Sequence, residues 1–237
     1  MKRLFLIIAF AAALAVPAQA LERTRELADD GDRDDWAAGA TCTVLYHNTC
    51  TGWVFNWSGW AAESLIGQVV DTCCPGGSDL LATDIRVRVG SPAGYGFTGS
   101  IAVSAVDAND CPTGSPIFSQ PYLPEGDGWQ LVNWGVPVPS RFVVWMTLGP
   151  ADSNPVSFRT DHPSVGPSGP EACGTCYPGD RVNHSFTYGT ATSPTCPGSP
   201  FDDPNSVCHA ELQWEQHLAC SVSVEDESWS KVKSLYR

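Results

Sequence analysis

Residues 210 to 224 read Ala-Glu-Leu-Gln-Trp-Glu-Gln-His-Leu-Ala-Cys-Ser-Val-Ser-Val. Leu212, Trp214, Leu218, Cys220, Val222 and Val224 share one parity, while Glu211, Gln213, Glu215 and His217 share the other. Successive side chains on a strand point to opposite faces. A repeat of two therefore predicts a strand with the first set in a core and the second in water.

Working outward, residues 83–89 follow the same rule. Ile85, Val87 and Val89 are expected to point inward, and Asp84, Arg86 and Arg88 outward. Residues 142–148 are apolar on both parities (Phe142, Val144 and Met146; Val143 and Trp145), as a central strand covered on both sides requires. Further strands are expected at 42–47, 52–58, 65–70, 97–106, 128–134, 155–160 and 184–188. Short strands separated by Gly, Pro, Asn and Asp turns predict an all-β fold. The expected architecture is a two-sheet antiparallel sandwich, jelly-roll or Ig-like, with long loops stapled by disulfides and a short C-terminal helix. Two stretches rich in Pro, Gly and Ser, from Gly149 to Asp180 and from Ala191 to Ser206, read as long restrained loops. Cys-Pro followed shortly by Gly-Ser recurs at Cys74, Cys111 and Cys196 and reads as turn chemistry.

Both ends of the chain differ from this body. Residues 1–20 carry Lys2 and Arg3, an apolar run from Leu4 to Val16, and an Ala18-Gln19-Ala20 exit, the pattern of a secretory signal peptide. That run is shorter than the roughly 20 residues a bilayer demands. Residues 21–40 hold Asp29, Asp30, Asp32, Asp34 and Asp35 and read as an acidic, disordered leader. The β-sandwich domain is expected at 41–224 and a tail at 225–237. The chain is thus expected to be secreted or held at the cell surface, without a membrane span. Losing the two signal-peptide cations takes the formal charge from -13 to -15. After Lys2 the remaining lysines are Lys231 and Lys233. Nucleic acid and anionic membranes need clustered cations, so neither is an expected partner.

The cysteines are Cys42, Cys50, Cys73, Cys74, Cys111, Cys173, Cys176, Cys196, Cys208 and Cys220. An even count in an exported chain reads as a disulfide framework whose connectivity the sequence leaves open. Proximity favours Cys42–Cys50, Cys173–Cys176 and Cys196–Cys208. Cys73 and Cys74 are expected to take different partners, because consecutive strand residues face opposite ways. Cys173 and Cys176 have zinc-ligand spacing, but no second pair follows at a finger interval, so a structural bridge is the reading adopted.

Sequence signatures of catalysis are few. There is no G-x-S-x-G elbow, no H-E-x-x-H and no phosphate-binding G-x-x-x-x-G-K-[ST]. Asp161-His162 could be half of a triad that any of many serines could complete, but a neighbouring Asp-His pair in a Pro-rich loop is weak evidence for catalysis. Asp107, Asn109 and Asp110 place oxygen donors in one turn, as calcium sites do, although such residues commonly bond their own backbone. Calcium is the one cofactor these residues suggest. Trp53, Phe55 and Trp57 share a strand face with Trp60 just beyond, and could form a sugar-stacking platform or simply fill the core.

In the tail, Ser228 can cap a short helix that puts Trp229, Val232 and Tyr236 on one apolar face, able to dock on the body or a partner. The ending, Ser228-Trp229 followed by Lys233 and Leu235-Tyr236-Arg237, resembles tails of exported disulfide-rich β-sandwich proteins of Gram-negative bacteria. This resemblance covers residues 228–237 alone and implies no enzymatic activity. The reading that follows is a non-enzymatic exported module, binding or adhesive, with a glycan or an extracellular protein as partner. The rival readings are a structural subunit of an extracellular assembly and a secreted hydrolase with a site built from distant loops.

Overall fold

The computed structural model describes residues 22–27, 40–49, 51–74, 77–88, 99–124, 126–149, 156–162, 183–202 and 209–220. In chain order its strands are β1 (Glu22–Leu27), β2 (Cys42–Leu45), β3 (Trp53–Ser58), β4 (Ser64–Asp71), β5 (Ser78–Arg88), β6 (Gly99–Val106) and β7 (Pro112–Tyr122). They continue with β8 (Gly128–Val138), β9 (Arg141–Thr147), β10 (Ser157–Asp161), β11 (Ser185–Thr190), β12 (Ser193–Asp202), β13 (His209–Ala210) and β14 (Trp214–Cys220). No helix occurs among the described residues. The first sheet runs β1-β3-β10-β5-β14-β2, with β8 also paired to β5. The second runs β13-β12-β11-β4-β9-β6-β7. Every pairing is antiparallel, and the two sheets face one another as a sandwich.

Inward residues of both sheets make one core. Ile85, Phe158 and Trp214 meet Ile66, Ile101 and Met146, all fully buried. The strand at 142–148 is covered on both sides as its sequence requires. Phe142, Val144 and Met146 face the main core, while Val143 packs with Leu65, Val69, Phe186 and Tyr188 on the other face of the second sheet. Gly67 is what lets β4 lie this close to β9, because a Cβ there would sit 2.9 Å from Trp145 Cβ.

Four expectations need correction. First, Glu22–Leu27 is an edge strand on β3, with Arg23 against Phe55 and Arg25 over Trp53. A guanidinium over an aromatic face gives this polar segment a docking surface that its own composition does not announce. Second, residues 193–202 are strand β12, and residues 112–122, given no strand at all, are β7. Both carry three prolines (Pro112, Pro116 and Pro121; Pro194, Pro197 and Pro200). Proline lacks the N–H that an interior ladder uses, so it marks sheet margins as readily as turns.

Third, Cys42 bonds Cys73 and not Cys50, while Cys196 bonds Cys111 and not Cys208. Sheet register, not distance along the chain, sets these pairings. β2 lies beside β14, so Cys42 and Cys220 are close and take Cys73 and Cys74 respectively. The vicinal cysteines thus have separate partners, as expected. Cys50, Cys173, Cys176 and Cys208 lie outside the described residues, as do the signal peptide and the C-terminal tail with its expected helix. Fourth, the solvent face expected for 210–224 is buried. Glu211, Gln213, Glu215 and His217 are each under 5% exposed, and Arg86 on β5 is equally enclosed.

The inner face also holds a polar chain. Trp134 Nε1 donates to Thr83 Oγ1 at 2.8 Å, which donates to Gln216 Oε1 at 2.6 Å. Gln216 Nε2 donates across the sandwich to Gln68 Oε1 at 3.2 Å. Thr83→Val should strand two buried polar groups and lower unfolding free energy in urea by about 1–3 kcal/mol, whereas Leu131→Ala on the exposed face should stay within about 0.5 kcal/mol. The Cys74–Cys220 bridge closes 146 positions of sequence. Its paired replacement by serine should lower stability by about 2–5 kcal/mol in the same measurement.

Candidate functional site

The aromatic row contributes mainly to the core. Phe55, Trp57 and Trp60 are buried, and Trp53 is half-buried with the Arg25 guanidinium 3.8 Å above its ring. Trp57 Nε1 donates to Thr160 Oγ1 at 2.9 Å, and Trp60 Nε1 to the Trp57 carbonyl at 3.1 Å. Phe201 packs edge-on against both indoles. With their rings and N–H groups so engaged, these residues do not present a row of open faces to a ligand.

At the turn between β6 and β7, Asp107 Oδ1 accepts the Asn109 and Cys111 N–H groups at 2.7 and 3.1 Å. The Asp110 carboxylate pairs with Arg141 at 2.6 Å, and its carbonyl accepts the Tyr188 hydroxyl. The carboxylates of Asp107 and Asp110 therefore already hold the turn, and a guanidinium stands where a cation would sit. Asp161 is buried and accepts the Glu211 and Asn48 N–H groups, while the His162 ring packs on Phe55 at 4.6 Å. Asp161 thus ties three chain segments together.

More chemistry lies on the face of β14 that was expected in water. His217 Nε2 is 2.9 Å from Asp84 Oδ2, and its Nδ1 is 3.2 Å from Thr43 Oγ1. Glu215 meets His47 Nε2 at 3.5 Å. Arg86 donates to Gln213 Oε1 at 3.2 Å and lies 5.6 Å from the Trp129 ring. Polar groups out of water need such partners, and mutual pairing is what permits their burial. Ahead of β14, the Glu211 carboxylate accepts the His184 N–H and the Ser185 hydroxyl.

Beside this cluster, β7 and β8 face each other across an open groove of about 680 Å³. Tyr122 and Trp129 line it with the carboxamides of Gln120, Gln130 and Asn133, and none of its lining residues is charged. Gln120 Nε2 donates to the Asn133 carbonyl at 3.1 Å, linking the two strands, and Gln130 Nε2 donates to the Gly126 carbonyl at 3.2 Å. Sequence reasoning did not single out this set. The available signal was residues 128–134, where Trp129 and Leu131 are apolar on one parity and Val132 and Trp134 on the other. On a margin strand, the second apolar face has no sheet to cover it.

These features define the class: a disulfide-bonded antiparallel β-sandwich with a neutral groove on one flank. Its three described disulfides are the cross-links of an oxidising compartment. No known family and no curated protein matches the chain. Among solved structures it is similar to the cysteine protease and lectin-like domains of a surface layer associated protein of Clostridium difficile, at 9% identity and a TM-score of 0.48. The likeness covers 79% of this chain but 37% of that one.

Burial also sets the tyrosines apart. Tyr46 stacks on His184 with ring centroids 3.4 Å apart, and burial pushes its phenol up to about 12 despite the Asp71 N–H bond that favours the phenolate. Burial raises Tyr122 and Tyr188 as well, with the Asp110 and Asp107 charges adding to Tyr188. A raised folded-state value means the unfolded chain loses its phenol protons first. Stability from Tyr46 is complete below the ordinary value of 10.0 and should be lost as pH rises towards 12. Urea midpoints measured across that interval should fall, and titration of all six tyrosines near the ordinary value of 10.0 in the folded protein would contradict the burial.

Proposed function

We propose that the chain is an exported, non-enzymatic binding module that takes a neutral carbohydrate in the groove between β7 and β8. The observation that carries this reading is the lining: aromatic rings beside carboxamides, without charge. A sugar ring presents C–H faces that pack on an indole or phenol and hydroxyls that exchange hydrogen bonds with amides. A groove of this size suits a ligand of one to a few rings. The disulfide framework and the signal-peptide pattern support export.

Non-catalytic action is supported by the engagement of the acids. Asp161 and Glu211 accept backbone N–H groups at 2.9–3.2 Å and hold chain segments in place. The prolines of β7 bear on the rival reading of a subunit assembled by strand addition. Pro112, Pro116 and Pro121 leave this margin short of the donors a further strand would use.

Glycan-array screening of the mature chain should find neutral ligands. Trp129→Ala and Gln130→Ala should each weaken the best of them by about tenfold or more, equal to about 1.4 kcal/mol, with the far-UV spectrum unchanged. No bound glycan across the array, or full affinity in the double variant, would refute the assignment.

A further inference from the structure

We propose that Asp84, Glu215 and His217 form a binding site for a divalent transition cation of the zinc class. One ligand atom from each lies within 4.8 Å of the others. Glu215 and His217 are buried and Asp84 is partly open, with its side chain 19% exposed, so the set has an enclosed base and a route from solvent. This inference is independent of the groove reading and is tested without any glycan.

The chemistry of the donors selects the ion. An imidazole nitrogen with two carboxylates is a mixed nitrogen and oxygen set of the kind zinc and its neighbours accept, whereas calcium takes oxygen throughout. The register of the first sheet makes the set: Glu215 lies opposite Asp84 in the β14–β5 ladder, and His217 follows two residues on along the same face. Charge argues in the same direction. Two carboxylates brought together away from water repel; the His217 and His47 rings each face one of them, whereas a dication between Asp84 and Glu215 would offset both.

The surroundings match those of metal ligands elsewhere. A ligating histidine commonly fixes its second ring nitrogen on a neighbouring group, which orients the first. Thr43 Oγ1 stands 3.2 Å from His217 Nδ1, leaving Nε2 directed at Asp84. His47 backs Glu215 through Nε2 at 3.5 Å and is itself 5% exposed. Arg86, on the same face, donates to Gln213 Oε1. Zinc bonds of roughly 2.0–2.2 Å require the three ligands to draw together modestly, and the partly open Asp84 has the freedom to do so.

The test uses the mature chain stripped with chelator, then titrated with ZnCl2 and with CoCl2. Saturable binding of one ion per chain is expected, with visible Co2+ absorption of a low-coordinate nitrogen and oxygen site. Asp84→Asn and His217→Ala should abolish that absorption. Thr43→Val, which removes only the hydroxyl behind the imidazole, should weaken zinc by roughly 10–100-fold. His209→Ala, on β13, should bind as the parent does. Should His217→Ala fail to fold by far-UV circular dichroism, Asp84→Asn decides alone, because its side chain reaches the surface. Absence of saturable binding in the parent, undiminished binding in Asp84→Asn, or loss in His209→Ala would each overturn the site.

Discussion

A line of hydrogen bonds through the middle of the sandwich is the constraint on which the rest of the structure depends. It starts at Trp134 and passes through Thr83 and Gln216 to Gln68 on the opposite sheet. Gln68 Nε2 then donates to Ser185 Oγ at 3.3 Å, and Ser185 donates to Glu211 at 2.6 Å. Every donor points the same way along the line, so the dipoles add and each bond strengthens its neighbours. Aliphatic contacts would allow the two sheets several offsets at similar energy. Gln68 and Gln216 can meet at one offset only, and any other breaks the bond that crosses the interior between them. The network thus favours a single offset of the two sheets as well as contributing to stability.

The same strand explains how far the sequence could be read. Trp214 and Leu218 alternate as a strand must and occupy the core as expected, and residues 142–148 read as doubly covered because both parities are apolar. Glu215 and His217 were assigned to water because they alternate with apolar residues. Their burial depends on Asp84, His47 and Thr43, which come from 131 to 174 positions away and meet them only after the first sheet has formed. Alternation tells the two faces of a strand apart. It does not tell a solvated polar face from a paired one. The prolines of β7 and β12 misled for a related reason: a missing N–H matters within a ladder and costs little at a margin. Trp57 and Trp60 could be placed in the core or on a platform from sequence, and their neighbours Phe201 and Thr160 resolve the choice.

The location of the groove follows from this construction. β8 pairs with β5 outside the main strand order of the first sheet, and β7 ends the second sheet, so the two come to face each other without pairing as strands. Gln120 reaches across to the Asn133 carbonyl. A gap between unpaired margins is where a sandwich can admit a ligand without opening its core. Trp129 stands at the boundary, facing the groove while its ring lies 5.8 Å from His47 and 5.6 Å from Arg86. Through it, the groove adjoins the buried histidine and carboxylate cluster of the first sheet.

Covalent and polar devices converge on β14. Cys220 bonds Cys74, its neighbour Cys73 bonds Cys42 on the adjoining β2, and both bridges cross from the end of β4 to the first sheet. β4 also carries Gln68, the far partner of Gln216. The interval between β4 and β14 is thus set at two points by different means: sulfur at one end and amides midway. Local opening is least available where cross-links and buried hydrogen bonds coincide. Glu215 and His217 lie between those two points or beside them, on the part of the chain best able to hold side chains in one geometry. The groove lies apart from these cross-links, between two strands that do not pair with each other. The proposed cation site would thus draw on the cross-linked part of β14, and the proposed ligand groove on the unpaired margins.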